Sequence, residues 1–355
     1  MTITIERTTA PKQKPADPMK LGFGNFFTDH MFLMDYTADK GWHSPLIVPY
    51  GPLPLDPAAM CLHYGQEVFE GMKAYRAGDG RTLLFRPRRN FERMNASNER
   101  LCMPTMDVDF CLRALKLLIK TDIGWVPEDG ESSLYIRPFI IAVDPFLGVR
   151  ASQKYMFIII LSPVGAYYPE GMNPVKIYVE DVYVRAARGG VGFTKAAGNY
   201  ASGLVAQAKA KKMGFTQVLW LDGLERKYVE EVGTMNIFFK IDGEVLTPPL
   251  LGSILPGVTR DSCIELLKDW GIKVTERPIE IAEIFGAHEK GLLEEVFGSG
   301  TAAVISPVGG ISMAGRDVVI NNNETGEISH RLYDELIGIQ HGTRPDKFGW
   351  TLEVK

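Results

Sequence analysis

Apolar residues follow two rhythms along this 355-residue chain. In "DVDFCLRALKLLIKTDIG" they recur at three- and four-residue spacing, which predicts a helix with one buried stripe. In "SLYIRPFIIAV" and "KYMFIIILS" they crowd into extended runs, which predict strands. From about Leu46 to Pro163 the two patterns mix, an α+β arrangement. The segment "VGAYYPEGMNP", Val164 to Pro174, collects Gly, Pro and aromatic residues before a new strand, "VKIYVEDVYVR", and is placed as an interdomain connection. The expected organisation is a small α+β domain over residues 1–163 with a flexible N-terminal arm, a connecting loop over 164–174 and a larger domain over 175–355.

The second half repeats strands, hairpins and short helices. "NIFFKIDGEVLTP" reads as two strands joined by Asp242-Gly243, a type I′ turn signal because both central residues need φ > 0. "TRDSCIELLKDWG" reads as a helix stopped by Gly271. Both halves mix helix and strand, so the fold class is mixed α+β and α/β. A length of 355 residues agrees with two domains.

Composition narrows the function classes. With 45% hydrophobic and 23% charged residues and a formal net charge of -4, the chain has no global charge that would draw nucleic acid or an anionic membrane. The apolar run "MFIIIL" is far short of the ~20 residues of a membrane helix. The first eighteen residues are polar and carry no apolar signal core. Cys61, Cys102, Cys111 and Cys263 are widely spaced, which argues against a disulfide framework and fits a cytoplasmic protein. Six scattered histidines form no HExxH motif, so no metal is expected.

The chemistry concentrates in "RGGVGFTKAAGNY", Arg188 to Tyr200, where four glycines surround Lys195. It is not a phosphate loop of the nucleoside triphosphatases, because Phe193 and Thr194 separate Gly192 from the lysine and Ala196 follows it. A helix, "YASGLVAQAKAKKMG", and a strand, "TQVLWLD", come next. Backbone dense in glycine lets another body approach closely. A lysine held there becomes a nucleophile toward a carbonyl carbon, and the aldehyde of pyridoxal phosphate is the leading candidate. That cofactor also needs a carboxylate at its ring nitrogen and donors for its phosphate. The carboxylate is sought in "EEVGTMN", Glu230 to Asn236, whose alternative reading is an exposed hairpin end. The phosphate donors are sought in the glycine turns "LPGVTRDS" and "FGSGTAAV".

Nine blocks taken in order carry a resemblance: "HYGQEVFEGMKAY", "LFRPRRNFERMNASNERLCMP", "LYIRPF", "SPVGAYYPEG", "GGVGFTKAAGNYASGL", "QVLWLDG", "EEVGTMNIFF", "LPGVTRDS" and "EVFGSGTAAV". From about Leu33 to its C-terminus the chain resembles the branched-chain amino-acid aminotransferases, which have the two-domain class IV (D-amino-acid-aminotransferase-like) fold of pyridoxal-phosphate enzymes. The resemblance implies that Lys195 forms the Schiff base and shuttles the proton. It also implies that Tyr200 bonds the cofactor's phenolic oxygen, that Glu231 rather than Glu230 binds the pyridine nitrogen, and that Arg93 clamps the phosphate with Val258, Thr259 and Thr301. Residues 175–355 are then the cofactor-binding domain, with Arg93 supplied by the first half.

For substrate, the family pattern implies an apolar wall of Tyr64, Phe69, Tyr135 and Tyr167, with Thr234 and Thr301-Ala302 meeting the α-carboxylate. Strand alternation points Glu231 and Thr234 to opposite faces, so a bulge at Gly233 is expected to turn both inward. Arg137 is expected to take the side-chain carboxylate of glutamate. The family is homodimeric, and Leu147 and Val149 match a loop that reaches the neighbouring subunit's pocket. The implied reaction moves the amino group of L-leucine, L-isoleucine or L-valine to 2-oxoglutarate, giving branched 2-oxo acids and L-glutamate. Two alternatives stay open: another class IV enzyme, either a D-amino-acid aminotransferase or an aminodeoxychorismate lyase, and a phosphate-ligand-binding protein without catalysis.

Overall fold

The long apolar runs become the central strands of two sheets. The computed structural model describes residues 1–15, 17, 20–165 and 171–355. The chain forms two compact units: Met1–Tyr167, Thr194–Ala197 and Gly338–Lys355 make the first, and Tyr168–Phe193 with Gly198–Ile337 the second. Lys195 therefore packs with the first unit, although it lies in the second half of the sequence.

In the first unit the strands run in the order Thr4–Ile5, Gly41–Pro49, His30–Thr37, Lys154–Val164, Ser133–Ala142, Met72–Arg76, Thr82–Phe85 and Thr351–Glu353, with Glu67–Phe69 also paired to Ser133–Ala142. The helical rhythm gives Val108–Thr121, whose N-cap Asp107 accepts from the backbone of Asp109 and Phe110. A second helix, Pro87–Arg100, begins with proline at its first position. Phe91 and Met94 of that helix join Phe110, Leu115 and Leu118 of the other in one core with Leu134, Ile136, Phe157 and Ile159. Since Leu134 and Ile136 face this core, alternation turns Tyr135 and Arg137 to the opposite face of the sheet.

The N-terminal segment, expected as a flexible arm, is fastened to this unit. Thr4–Ile5 pairs in parallel with Leu46 and Ile47. The Lys12 ammonium lies 4.0 Å from the centre of the Tyr50 ring and donates to the Thr28 carbonyl at 2.7 Å. Polar composition concealed these contacts because lysine reaches aromatic faces and carbonyls through a long flexible stem.

In the second unit the strands run Val229–Val232, Gln217–Leu221, Val175–Glu180, Val304–Met313, Leu293–Gly300 and Met235–Ile241, and the last of these pairs back onto the first. The six strands so named close into a ring. Glu244–Thr247 and Val274–Glu276 extend it from Met235–Ile241. Asp242 and Gly243 both have positive φ, 51° and 76°, as the expected hairpin requires. The helix predicted over "TRDSCIELLKDWG" is present as Val258–Asp269, with Gly271 at φ 73° beyond its end.

Two elements are shorter than their sequence patterns. "VKIYVEDVYVR" is a strand only to Glu180, whose carboxylate accepts from the backbone of Val182 and Tyr183 and turns the chain. The helix predicted from Tyr200 is divided into Ala197–Ala201 and Leu204–Lys212. At the break, a Cβ on Gly203 would lie 3.2 Å from the Trp220 ring.

Lys73 gives this fold a pH signature. It is 8% exposed, and burial pushes its pKa from 10.5 down to about 8. Between those values the unfolded chain binds more protons than the native one, so this residue's contribution to stability rises as pH climbs from about 8 toward 10.5. Buried thiols such as Cys111 act in the opposite sense, so the comparison must be differential. Urea unfolding of wild type and Lys73→Met should give a stability difference that shifts in favour of wild type, on the order of 3 kcal/mol, over that range. A difference independent of pH would refute the assignment.

Candidate active site

In the first unit, Glu67–Phe69 pairs with Ile141, Ile140 and Phe139 and brings Lys195 alongside: the Phe69 N–H donates to the Lys195 carbonyl at 3.1 Å. The Lys195 N–H in turn donates to Ser97 Oγ at 3.1 Å. The Phe69 ring lies 5.0 Å from Lys195 Nζ and 4.6 Å from the Arg137 guanidinium carbon. Arg137 Nη2 donates to the Tyr135 hydroxyl at 2.9 Å, and Phe23 meets the Tyr135 ring edge-on at 4.8 Å. Gly71 is required beside this hydroxyl, because a Cβ there would lie 2.2 Å from it. Among the described residues no carboxylate forms an ion pair with Arg137, although its charge acts on the Glu67 carboxyl, and its buried Nε has no hydrogen-bond partner. A cation so placed fits an incoming carboxylate.

Arg93 is held by Glu70, which is fully buried. Arg93 Nε donates to Glu70 Oε1 at 2.7 Å and Nη2 to Oε2 at 2.8 Å, while Asn90 Nδ2 donates to Oε2 at 2.9 Å. Burial alone would raise the Glu70 pKa, but the neighbouring charges of Arg93 and Lys195 and these hydrogen bonds outweigh it and hold the carboxyl below its ordinary value.

In the second unit, Glu231, Asn236 and Ser299 stand opposite one another across three neighbouring strands. Glu231 pairs with Arg185 at 2.8 Å and accepts from Asn236 Nδ2 at 2.9 Å. The same amide donates to the Leu255 carbonyl, just before the helix that begins with Val258 and Thr259. Gly257 at its N-cap is obligatory, since a Cβ would fall 2.0 Å from Asn236 Oδ1. Open backbone N–H groups at that helix start suit a phosphate. Thr301 and Ala302 occupy the turn between the paired residues Gly300 and Val304.

The expected bulge is displaced. Gly233, φ 57°, and Thr234 form a two-residue hairpin turn, with Val232 opposite Met235. The irregularity lies instead at Glu230 and Glu231, where Val229 to Val232 spans only Leu219 to Leu221 on the next strand. Both carboxylates are consequently buried, and Glu230 binds the Ser253 hydroxyl. The exposed-hairpin-end reading thus fails for the carboxylates and holds only for Thr234, which is exposed.

Of the other expected residues, Tyr64 is on the surface and its hydroxyl donates to the Leu147 carbonyl. Leu147 and Val149 are 63% and 85% exposed. Tyr200 lies in the short helix Ala197–Ala201 and belongs to the second unit. Tyr167 lies outside the described residues. Sequence reasoning missed Phe23, Glu70, Asn90, Ser97, Arg185 and Asn236. Glu70 and Arg185 had a usable signal, because a charge inside or beside an apolar strand must find a counter-charge.

Residues 67–311 match the family model described as amino-transferase class IV. The chain is 60% identical to branched-chain-amino-acid aminotransferase 2 of Bacillus subtilis (strain 168), over 99% of this chain and 97% of that protein. It belongs to the branched-chain amino-acid aminotransferases of the class IV family. The family fold is equally clear in the branched-chain amino acid aminotransferase of Escherichia coli, with a TM-score of 0.77 at 29% identity over 92% of this chain and 99% of that one. The branched-chain aminotransferase from Thermoproteus uzoniensis, solved with norvaline, gives a TM-score of 0.74 at 25% identity, over 91% of this chain and 100% of that one.

The two neighbouring glutamates separate by experiment. Burial raises the pKa of Glu230, so its carboxylate destabilises the fold as pH rises above the ordinary carboxylate range. Glu230→Gln should keep turnover within about threefold of wild type and raise Tm at pH 8, because the amide removes a buried ionisation. Glu231→Gln should lower kcat by about 100-fold or more, as a neutral amide cannot stabilise a ring cation. Steady-state kinetics and thermal melts of both variants check this, and reversed effects would invert the assignment.

Proposed function

We propose that the chain transfers the amino group of L-leucine, L-isoleucine or L-valine to 2-oxoglutarate, with Lys195 as the reacting amine. It is a branched-chain-amino-acid transaminase, and its cofactor is pyridoxal phosphate. The observation that carries the substrate reading is the single Phe69 ring shared by Lys195 Nζ and the Arg137 guanidinium. It puts a nucleophile, an apolar wall and a cation in reach of one small molecule. Leucine needs the wall, whereas glutamate needs a partner for a second carboxylate that would otherwise be desolvated at a cost of several kcal/mol.

The cofactor, when bound, supplies an aldehyde that condenses with amines and a ring that takes up the electron pair left by a departing α-proton. Lys195 Nζ holds the cofactor at rest, removes the proton from the substrate Cα once displaced, and is the group that returns it. Glu231, kept in place by Arg185 and Asn236, holds a proton at the ring nitrogen. Arg93, the N-terminal backbone at Val258 and Thr259, and Thr301 bind the phosphate, and Tyr200 bonds the phenolic oxygen. Thr234 and the Thr301-Ala302 backbone orient the α-carboxylate. Tyr64, Phe69, Tyr135 and Tyr167 form the apolar wall, with Arg137 at its polar end. The buried carboxylate of Glu231 and the backbone N–H groups at the helix start after Gly257 fit this cofactor.

The working form is a cytoplasmic homodimer. Leu62, Tyr64, Phe146, Leu147 and Val149, between 40% and 85% exposed, offer an apolar surface to a second copy, and Leu147 and Val149 enter its substrate pocket. Among the described residues no helix is long and apolar enough to cross a membrane.

Two variants test the roles. Lys195→Ala should remain folded, bind cofactor without a covalent link, and lose turnover by about 1,000-fold or more. Mass spectrometry after borohydride reduction and leucine turnover read both, and near-normal turnover would overturn the reading. Arg137→Met should slow the glutamate half-reaction by about 30-fold or more while changing that of leucine by less than about threefold. Single-turnover rates for each amino acid decide it, and equal losses would make Arg137 structural.

A further inference from the structure

Glu70 has no role in the chemistry just described, yet it is fully buried and bonded on every side. Its two oxygens receive Arg93 Nε and Nη2, Asn90 Nδ2 and the Gly71 N–H. Its neighbour Phe69 pairs through the backbone with Lys195. On the helix side, Ser97 Oγ donates to the Arg93 carbonyl at 3.1 Å and accepts from the Lys195 N–H. Arg93 and Lys195 are therefore connected twice, once through Glu70 and Phe69 and once through Ser97. A bidentate carboxylate fixes the plane of a guanidinium, which a single hydrogen bond cannot do. It also neutralises a cation that is 9% exposed and otherwise expensive to bury.

We propose that Glu70 is a positioning residue and resident counter-ion: it holds Arg93 in the orientation the cofactor phosphate meets, at a fixed spacing from Lys195, and balances the guanidinium charge while phosphate is absent. The inference rests on the assignment of Arg93 as the phosphate clamp. Its consequence is a divergence between binding and rate. Without the carboxylate, Arg93 loses its bidentate anionic partner in the cofactor-free protein, and the phosphate dianion supplies a negative charge in its place once bound. The cofactor then stabilises the variant more than it stabilises wild type, while a guanidinium that has lost its bidentate hold misplaces the bound cofactor and slows catalysis.

The test compares Glu70→Gln with wild type as full-length protein, with and without pyridoxal phosphate. Melting temperatures should show a cofactor-induced rise at least about 4 °C larger in the variant. Fluorescence titration of the cofactor-free protein should give an affinity no weaker than wild type, and the leucine half-reaction of the loaded variant should be ~10-fold slower or more. Equal destabilisation of both forms, or an affinity that falls in step with rate, would reduce Glu70 to a structural residue. Should Gln at this position leave no folded cofactor-free protein, Asn90→Ala, which keeps the charge but removes one of the three donors to Oε2, carries the test. It should keep the wild-type melting rise and slow the half-reaction ~5-fold or more, and an unchanged rate would overturn the proposal. Failure of the underlying reading is distinguishable, because Arg93→Met would then leave cofactor affinity intact whatever Glu70 does.

Discussion

A charge taken out of water must meet an opposite charge or a full set of hydrogen bonds, and this requirement organises the functional parts of both units. In the first unit it couples Glu70 to Arg93. In the second it couples Glu231 to Arg185, which also donates to the carbonyls of Gly192 and Ser253. Gly192 stands three residues before Lys195, and a Cβ on it would press within 2.4 Å of Ser253 O. The arginine thus orders a carboxylate and packs down the glycine loop with one side chain. Arg137 is the exception among these cations, because no carboxylate among the described residues bonds it directly and only the charge of Glu67 acts on it.

Much of this was legible in the sequence. Alternation along "LYIRPF" put Tyr135 and Arg137 on one face, and the structure joins them by a hydrogen bond. The glycines of "LPGVT" and the Asp242-Gly243 turn were readable because steric exclusion of a Cβ is a local property. What stayed hidden was nonlocal. Glu230 and Glu231 have identical chemistry, and only the register of the neighbouring strand shows that a bulge lets both be buried. No pattern in "RGGVGFTK" reveals that Lys195 packs beside Phe69, more than a hundred residues earlier, since strand pairing across such a separation leaves no trace in either segment alone.

The strand that stops early at Glu180 does so for a local reason. Periodicity predicts where an element can continue, whereas side-chain hydrogen bonds decide where it stops. Glu180 ends its strand by accepting from two backbone N–H groups ahead of it, and Asp222 gathers those of Leu224, Glu225, Lys227 and Tyr228 into a tight loop. Four such donors hold the Asp222 carboxyl at about 2 despite the opposing effect of burial.

The short strand Thr4–Ile5 has a meaning beyond fastening the N-terminal segment. It covers Leu46 and Ile47 at the margin of the first sheet, and the Glu6 N–H continues the ladder by donating to the Ile47 carbonyl at 2.8 Å. Bare backbone at such a margin is a template on which another chain can add a strand and begin to aggregate. Pro45 and Pro49 already remove two donors from this strand, and Ser44, at φ 52°, breaks its regularity. Only a few residues between them can pair with a foreign strand, so a cover two residues long is enough to keep this margin from seeding self-association.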